Sequence, residues 1–156
     1  NFGFAAGRSS AMLGMNAKMP EWTAAAALAT LDAFAEKKRL RQRVEQWYRR
    51  YFSELGIWEK GWEPFPSRGS VPHAYFSVLC PEGDTNGRIV AELASRRIEV
   101  RTYFSPACHE QPLFAPFPRT PLPVTERVCG RIVSLPLWEE MREADVKTIA
   151  ERIREL

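Results

Sequence analysis

Apolar residues recur at helical spacing from Trp22 to Leu55, and this spacing predicts one long amphipathic helix. Pro20 and Glu21 suit the first turn of that helix, because proline needs no N–H partner there and a carboxylate faces the positive end of the helix dipole. Gly56 is typical of the residue that ends a helix. The apolar positions are Leu28, Leu31, Phe34, Leu40, Val44, Trp47, Tyr48, Tyr51 and Leu55.

After Gly56 the pattern changes to short apolar runs that are typical of strands. Pro64 and Pro66 restrict the first of these runs to a sheet edge, since proline cannot donate to a ladder. In a later run, Ile98 and Val100 alternate with charged residues, as expected of a half-buried strand. We predict strands at residues 58–65, 73–79, 98–104 and 132–135.

Helical spacing returns between and after these runs, and we predict shorter helices at residues 86–97, 125–130 and 143–156. The stretch 106–123 holds too many prolines for a helix or a ladder, so it is predicted to be a loop. Several connections between strands are too short to be helical crossovers. The pattern therefore predicts an α+β fold, with a mainly antiparallel sheet and helices on one face.

The composition is that of an ordinary globular protein of 156 residues, 45% hydrophobic and 26% charged, and this length predicts one domain. The net charge of +3 is too small to indicate nucleic-acid binding. The cations between Lys37 and Arg43 spread around a helix whose apolar stripe continues, which favours a solvated face. No apolar run approaches the length of a membrane span and no signal-peptide pattern is present, so we expect a cytoplasmic protein without membrane contact.

The cysteines Cys80, Cys108 and Cys129 are odd in number and widely spaced, which favours reduced thiols. Together with His73 and His109 they include both ligand types that zinc takes. No C-x-x-C or H-x-x-x-H pair is present, however, so we predict no metal site. The sequence also lacks a G-x-S-x-G elbow, and no serine is paired by spacing to either histidine, so hydrolysis by an activated serine is not predicted.

The residues that precede the long helix have an order that suits anion binding. Gly14 lets the backbone come close, Asn16 offers an amide donor and Lys18 offers a charge, and the helix then begins with free N–H groups. The alternative is an ordinary loop with a helix cap. Spacing alone favours that alternative.

Three segments carry longer motifs, in the same order along the chain. Residues 14–31 read G-x-N-x-K-M-x-E followed by A-A-A-A-L-A-x-L, and residues 103–112 read Y-F-S-P-A-C-H-E-Q-P. Residues 122–126 read L-P-V-T-E and lead to I-V-S-L-P-L at 132–137. These segments resemble the G-x-N-x-(K/R)-M-S-E, Y-(Y/F)-x-P-x-H-x-Q-P and L-P-V-(T/A)-E motifs of the pyridoxal-phosphate-dependent nucleotide-sugar aminotransferases of the DegT/DnrJ/StrS type.

The resemblance implies the small C-terminal domain of a fold-type I transferase that depends on pyridoxal phosphate. Members of that family carry the Schiff-base lysine, the aspartate facing the pyridine nitrogen and the ring-stacking aromatic in an N-terminal large domain, which would lie before Asn1. We therefore expect a large-domain remnant with the phosphate-loop motif at 1–20, a linking helix at 21–55 and the small domain at 56–156. Without that lysine we expect no catalytic residue, no bound cofactor and no activity in this chain alone.

The resemblance also implies roles for individual residues. Asn16 and Lys18 would contact the cofactor phosphate, Asn16 across a dimer interface, and an amide donor beside a cation fits that role. His109 would lie near the sugar end of the active site, where an imidazole can donate or accept a proton. Arg101, which enters the same loop, is a candidate to pair with a carboxylate or phosphate of the amino donor or nucleotide sugar. A helix cap for Asn16 and an ordinary exposed arginine for Arg101 are the alternatives.

Three functions of different classes remain after these observations. The first is part of an aminotransferase of keto-sugar nucleotides in amino-sugar biosynthesis, acting as a homo-oligomer. The second is a stand-alone binding module that covers the apolar face of the 22–55 helix by self-association. The third is a nucleic-acid binder using the basic part of that helix, which would need salt-sensitive affinity and ranks last.

Overall fold

The computed structural model describes residues 13–15, 17–66, 69, 71–117 and 120–156. The chain divides into two compact units between Glu36 and Lys37. Helix α1, Glu21–Glu54, contributes to both units, and it matches the long helix that the apolar spacing predicts. Within the first unit the Pro20 carbonyl accepts a hydrogen bond from the Ala24 N–H at 3.0 Å.

The part of α1 that belongs to the first unit keeps its apolar side chains exposed. Its residues include a run of alanines, which have the highest intrinsic helix propensity. Local propensity therefore accounts for helix in this stretch without burial. The exposed apolar side chains are Trp22, Leu28, Leu31 and Phe34.

The second half of α1 is buried along one stripe formed by Val44, Tyr48 and Phe52, which follow one another at intervals of one helical turn. The helix ends where Gly56 adopts a left-handed conformation with φ of 65°. The Ile57 N–H donates to the Phe52 carbonyl at 2.8 Å, and both side chains are fully buried. This is the Schellman arrangement, and it confirms the helix end predicted at Gly56.

A three-stranded antiparallel sheet forms the centre of the second unit, in the order β1-β2-β3. The strands are β1 Glu63–Pro64, β2 Phe76–Leu79 and β3 Ile132–Leu135. Phe76 lies opposite Leu135 and Val78 lies opposite Val133, so one face of the sheet is apolar and joins the core. On the other face the hydroxyl oxygens of Ser77 and Ser134 are 2.8 Å apart, within hydrogen-bond distance.

Three further helices complete the unit: α2 Asn86–Ser95, α3 Pro123–Arg131 and α4 Glu143–Arg154. The core of the sheet is continued by α1, α2 and α4, which supply fully buried side chains to the same cluster. Three 3-10 turns lie in the connections, at Trp58–Lys60, Cys108–Glu110 and Pro112–Phe114. The α+β fold with an antiparallel sheet is therefore confirmed.

An aromatic stack joins α1 to the sheet. The rings of Tyr48 and Phe76 are nearly parallel, with centroids 4.8 Å apart, and Phe52 meets Phe76 edge-on. The Tyr48 hydroxyl donates a hydrogen bond to the carbonyl of Pro136 at 2.9 Å. Burial raises the pKa of the Tyr48 phenol, because the phenolate would lose its hydration inside the core.

Arg131 is an exception to the apolar interior, since it is buried at the end of α3. Its Nε donates to the Cys80 carbonyl at 2.7 Å and its Nη2 pairs with a carboxylate oxygen of Glu63 at 2.6 Å. The third nitrogen, Nη1, lies 3.5 Å from Glu82. A buried guanidinium with these partners ties α3 to the ends of β1 and β2.

One predicted strand is wrong, and two are shorter than predicted. Residues 98–104 do not form a strand, because only Arg101 pairs with the sheet, through Ser134. Arg97 has φ of 61°, which turns the chain just before this segment. The alternating pattern of residues 98–104 reflects the burial of Val100 instead. Residues 58–60 form a 3-10 turn, and β2 begins at Phe76.

Within the described residues, no helix is both long and apolar enough to cross a membrane.

Candidate functional site

The predicted phosphate contacts fall in the segment that precedes α1. Asn16 lies outside the described residues, so its role stays a prediction. Lys18 lies in the irregular segment before the first turn and is exposed. Free N–H groups at the start of a long helix favour an anion, and a neighbouring lysine adds charge. The first unit therefore carries a cationic helix start.

His109 lies in the 3-10 turn Cys108–Glu110 of the proline-rich loop, with its side chain 21% exposed. The Ala107 N–H donates to a carboxylate oxygen of Glu110 at 2.7 Å, which fixes the start of the turn. The Nε2 atom of His109 is 3.4 Å from Oε1 of Glu126, on α3. That distance allows an ion pair, but the alignment does not give a hydrogen bond, and Nε2 is buried without a hydrogen-bond partner.

The surroundings of His109 form a small cavity of about 320 Å³, lined also by Glu110, Thr120, Pro121 and Glu126. Glu126 is held in place by its own helix, because the Leu122 N–H donates to its carboxylate at 3.3 Å. A buried imidazole nitrogen without a partner costs free energy unless a ligand or water satisfies it. His109 therefore has a ring nitrogen left to hydrogen-bond a ligand, and the carboxylate of Glu126 lies beside it.

Arg101 lies on a different cavity from His109. Its backbone pairs with Ser134 in both directions, at 3.1 and 2.7 Å, and this pairing fixes where the side chain starts. The guanidinium is 61% exposed and pairs with Glu99. Arg101 lines a larger cavity, of about 720 Å³, which does not include His109. Among the described residues, the two predicted substrate contacts are thus not brought together.

A third arrangement escaped prediction from the sequence, and it involves His73, Glu45 and Arg49. His73 has φ of 51°, and its Nδ1 pairs with Glu45 on α1, both side chains being largely buried. Glu45 also pairs with Arg49, with 2.7 Å between Nη2 and Oε1. The three side chains line a mostly apolar cavity of about 630 Å³. The only available signal was the i,i+4 spacing of Glu45 and Arg49, which also fits a surface pair.

The cavity around His73 shares part of its wall with the larger cavity around Arg101. Ala74, Tyr75 and Tyr103 line both of them. Tyr103 and Phe104, from the second sequence motif, contribute to the His73 cavity, and their ring centroids are 5.1 Å apart. The motif therefore supplies aromatic walls to two cavities and a histidine to a third.

Two cysteines are poor nucleophiles at neutral pH. Burial raises the pKa of the Cys80 thiol, which is fully buried. Burial also raises the pKa of Cys129, and the negative charge of Glu110 adds to that effect. A thiol with a raised pKa stays protonated, and the thiolate is the nucleophilic form. In the described part of the chain, no group of histidines, cysteines and carboxylates has the arrangement of a metal site.

Pyridoxal phosphate, the cofactor that the sequence resemblance implies, needs an amino group for its Schiff base. All five lysines of the chain fall within the described residues, and none is among the residues that line the three cavities above. Lys60 lines only a separate cleft of about 310 Å³, and its ammonium donates to the carbonyl of Arg154. The described residues therefore do not fit a complete cofactor site, because they lack a covalent anchor.

Comparison with known proteins connects these features to one family. The sequence profile of the DegT/DnrJ/EryC1/StrS aminotransferase family matches residues 1–154. The Mycobacterium tuberculosis protein Rv3402c is 31% identical over 160 aligned positions, which cover 99% of this chain and 37% of the relative. The chain thus spans somewhat more than a third of the length of this curated relative.

Solved structures agree with the sequence match. A crystal structure of a Bacillus cereus protein, assigned to the PLP-dependent aminotransferases, superposes with a TM-score of 0.87 and 38% identity over 97% of this chain and 41% of that one. A structure of DesI in the presence of its TDP-sugar product gives a TM-score of 0.81 and 32% identity, covering 99% of this chain and 40% of DesI. Both matches extend over nearly the whole chain.

Proposed function

Because the chain belongs to the DegT/DnrJ/EryC1/StrS aminotransferase family, we propose that it is part of an enzyme that transfers an amino group to a keto-sugar nucleotide. Pyridoxal phosphate, when bound, supplies the electron sink for such a transfer. The product of DesI, a TDP-sugar, supports a nucleotide sugar as the substrate class. The observation that carries the proposal is the buried, unsatisfied Nε2 of His109, in the motif that this family shares.

In this proposal His109 binds the sugar. The residue lines a cavity, and its buried Nε2 has no hydrogen-bond partner of its own and lies beside the carboxylate of Glu126. A hydroxyl or carbonyl oxygen of the sugar would satisfy the imidazole, and Glu126 would keep the ring oriented. Arg101 is exposed enough to take the anionic part of the substrate, a phosphate or the carboxylate of the amino donor.

Asn16 and Lys18 are proposed to hold the phosphate of the cofactor. Lys18 is exposed just before α1, whose first N–H groups favour an anion. Because the described residues offer no covalent anchor for the cofactor, we propose that this chain is silent alone and that residues from another polypeptide segment complete the site.

Leu28, Leu31 and Phe34 are exposed along one face of α1, and this apolar face supports association with a second copy, as a dimer or larger homo-oligomer. It also supports the second candidate function, a stand-alone module that self-associates without catalysis. The free thiols of all three cysteines are consistent with a cytoplasmic setting.

The test of the proposed function is complementation. The chain is mixed with the lysine-bearing segment of the Bacillus cereus relative, and amino transfer to a TDP-linked keto-sugar is measured with pyridoxal phosphate present. We expect activity that requires both segments and that falls by at least about tenfold with His109→Ala, the loss of one good hydrogen bond to the substrate. Arg127→Gln, which removes an exposed guanidinium of α3, is the matched control.

A second measurement separates the silent-chain proposal from a rebuilt site. The chain alone is incubated with pyridoxal phosphate, reduced with borohydride and weighed by intact mass spectrometry. We expect no adduct on one defined lysine and no aldimine absorbance. A stoichiometric adduct at Lys18 would overturn the silent-chain proposal, and a mixture that binds its partner but transfers no amino group would overturn the proposed function.

A further inference from the structure

The cavity around His73 has the volume of a small-molecule site, and its fixed charges cancel. Its volume of about 630 Å³ lies within the range of ligand pockets. Among its lining residues Glu45 is the carboxylate and Arg49 the guanidinium, and the two pair with each other. All of the lining residues belong to the second unit of the chain. A neutral ligand therefore fits this cavity better than an ion, which would lose its hydration without gaining an unpaired counter-charge.

The polar side chains of the cavity form one connected network. Oε1 of Glu45 accepts from Nε and Nη2 of Arg49, at 2.8 and 2.7 Å. Oε2 of Glu45 contacts Nδ1 of His73. Both carboxylate oxygens thus already have partners. The guanidinium carbon of Arg49 lies 5.7 Å from the ring centroid of Phe76, which also lines the cavity, so the network adjoins an aromatic wall.

The contact with Glu45 decides which ring nitrogen of His73 is available to a ligand. A carboxylate only accepts hydrogen bonds, so the hydrogen of the neutral imidazole lies on Nδ1. Nε2 then carries the lone pair and accepts. Within the described residues Nε2 forms no hydrogen bond, although the His73 side chain is only 9% exposed. A ligand that donates a hydrogen bond would satisfy this nitrogen.

Aromatic side chains make up much of the remaining wall. Tyr75 lies just before β2, whereas Tyr103 and Phe104 come from the second sequence motif, and all three line the cavity. The ring centroids are 4.6 Å apart between Tyr75 and Tyr103 and 5.1 Å apart between Tyr103 and Phe104. Tyr75 and Phe104 keep 49% and 71% of their surface exposed, so they have apolar area left for a ligand. A planar aromatic ligand would bury this area and meet the rings in favourable offset or edge-on contacts.

We propose that this cavity binds a neutral phenol, with its hydroxyl donating to Nε2 of His73 and its ring against the aromatic wall. A phenol combines the two properties that the cavity selects, a flat apolar ring and an uncharged hydrogen-bond donor. The inference goes beyond the proposed function and does not depend on it. His109 and Arg101, the residues proposed to bind the sugar and the anion, do not line this cavity.

The first test compares three ligands by isothermal titration of the whole chain: para-cresol, para-methylanisole and para-toluate. The three share one ring, but the ether cannot donate a hydrogen bond and the carboxylate is charged. We expect para-cresol to bind and para-methylanisole to bind about tenfold more weakly, the loss of one hydrogen bond to a buried group. Absence of para-cresol binding, equal affinity for the ether, or tighter binding of para-toluate would overturn the proposal.

The second test is the variant His73→Asn. Asparagine tolerates the positive φ of 51° and keeps an amide donor beside Glu45, but it has no counterpart of Nε2. We expect about tenfold weaker binding of para-cresol and unchanged binding of para-methylanisole. Arg127→Gln is the control, because Arg127 pairs with Glu82 and lies outside the cavity lining. Equal losses for both ligands in His73→Asn would mean that the imidazole only shapes the cavity, and would overturn the proposal.

The position of the ligand is measured by NMR of the histidine ring C–H groups, since the chain has two histidines. We expect para-cresol to shift the signals of His73 and to leave those of His109, which lines a different cavity. Shifts confined to His109 would overturn the proposal. The two proposals fail separately. Amino transfer in the complemented mixture without para-cresol binding would overturn this inference alone, and para-cresol binding without amino transfer would overturn the proposed function alone.

Discussion

Replacing Tyr48 by phenylalanine measures how much one buried hydroxyl group contributes to the free energy of unfolding. Tyr48 is fully buried, stacks on Phe76 and donates to the Pro136 carbonyl at 2.9 Å. Phenylalanine keeps the ring and the stack, so the change removes only the hydroxyl. The Pro136 residue, whose carbonyl accepts this bond, is only half-buried. We therefore expect Tyr48→Phe to lower the free energy of unfolding by about 1 kcal/mol, the net value of one hydrogen bond.

The same variant should change how stability depends on pH. Burial raises the pKa of Tyr48 above its unfolded value near 10, so the folded chain keeps the phenol proton that the unfolded chain releases. The stabilisation is fully present below the unfolded pKa and is lost as pH rises above it. At the steepest, the loss is about 1.4 kcal/mol per pH unit for one proton, and Tyr48→Phe should remove this contribution.

The assay is urea unfolding followed by tryptophan fluorescence at several pH values between 8 and 11. Tyr75→Phe is the control, because it removes the hydroxyl of a tyrosine that is 49% exposed instead of buried. The difference between wild type and Tyr48→Phe should shrink as pH rises, while Tyr75→Phe should follow the wild type. A Tyr48 variant with the same alkaline slope as wild type would refute the assignment of a buried phenol to this position.

The remaining stability predictions concern the end of α1 and the buried arginine, and all are measured by urea unfolding. Gly56→Ala should cost about 1 kcal/mol, because φ is 65° while the nearest atom to an added Cβ is at an ordinary 3.6 Å. Phe52→Ala should cost about 3–5 kcal/mol through the cavity left in the core; a loss below about 1 kcal/mol would contradict its packing role. Arg131→Met should cost about 1–3 kcal/mol, since it leaves the Cys80 carbonyl without its donor; an unchanged midpoint would mean that water replaces the guanidinium.

Helical periodicity made most of this fold predictable. The stripe through Val44, Tyr48 and Phe52 is a local property of the sequence, and Gly56 marks its end for a local steric reason. Short strands are harder to predict, because they depend on pairing with residues that are distant in the sequence. The residues 98–104 alternate like a strand, yet pairing needs a partner in register, and only Arg101 finds one.

The candidate site was predictable where a motif carried it and obscure where long-range contacts built it. His109 was found through its motif, but its neighbour Glu126 is contributed by a separate helix. Glu45 and His73 contact each other although they are 28 positions apart in the sequence. The contact depends on a positive φ at His73, which cannot be predicted from the residue type. Similarly, nothing in the spacing indicates that Arg97, Arg101 and Trp138 line the same cavity.

The separation of Arg101 from His109 leads to a last prediction about the substrate. The two residues line different cavities, so one ligand contacts both only if it is long enough to extend from one cavity to the other. Thymidine monophosphate should therefore lose affinity with Arg101→Gln and be indifferent to His109→Ala. TDP-glucose should lose affinity with each variant, and the losses should add in free energy, because the two side chains share no partner. Titration of the double variant measures this directly, and a loss no greater than that of one single variant would show that the two residues do not hold the same ligand.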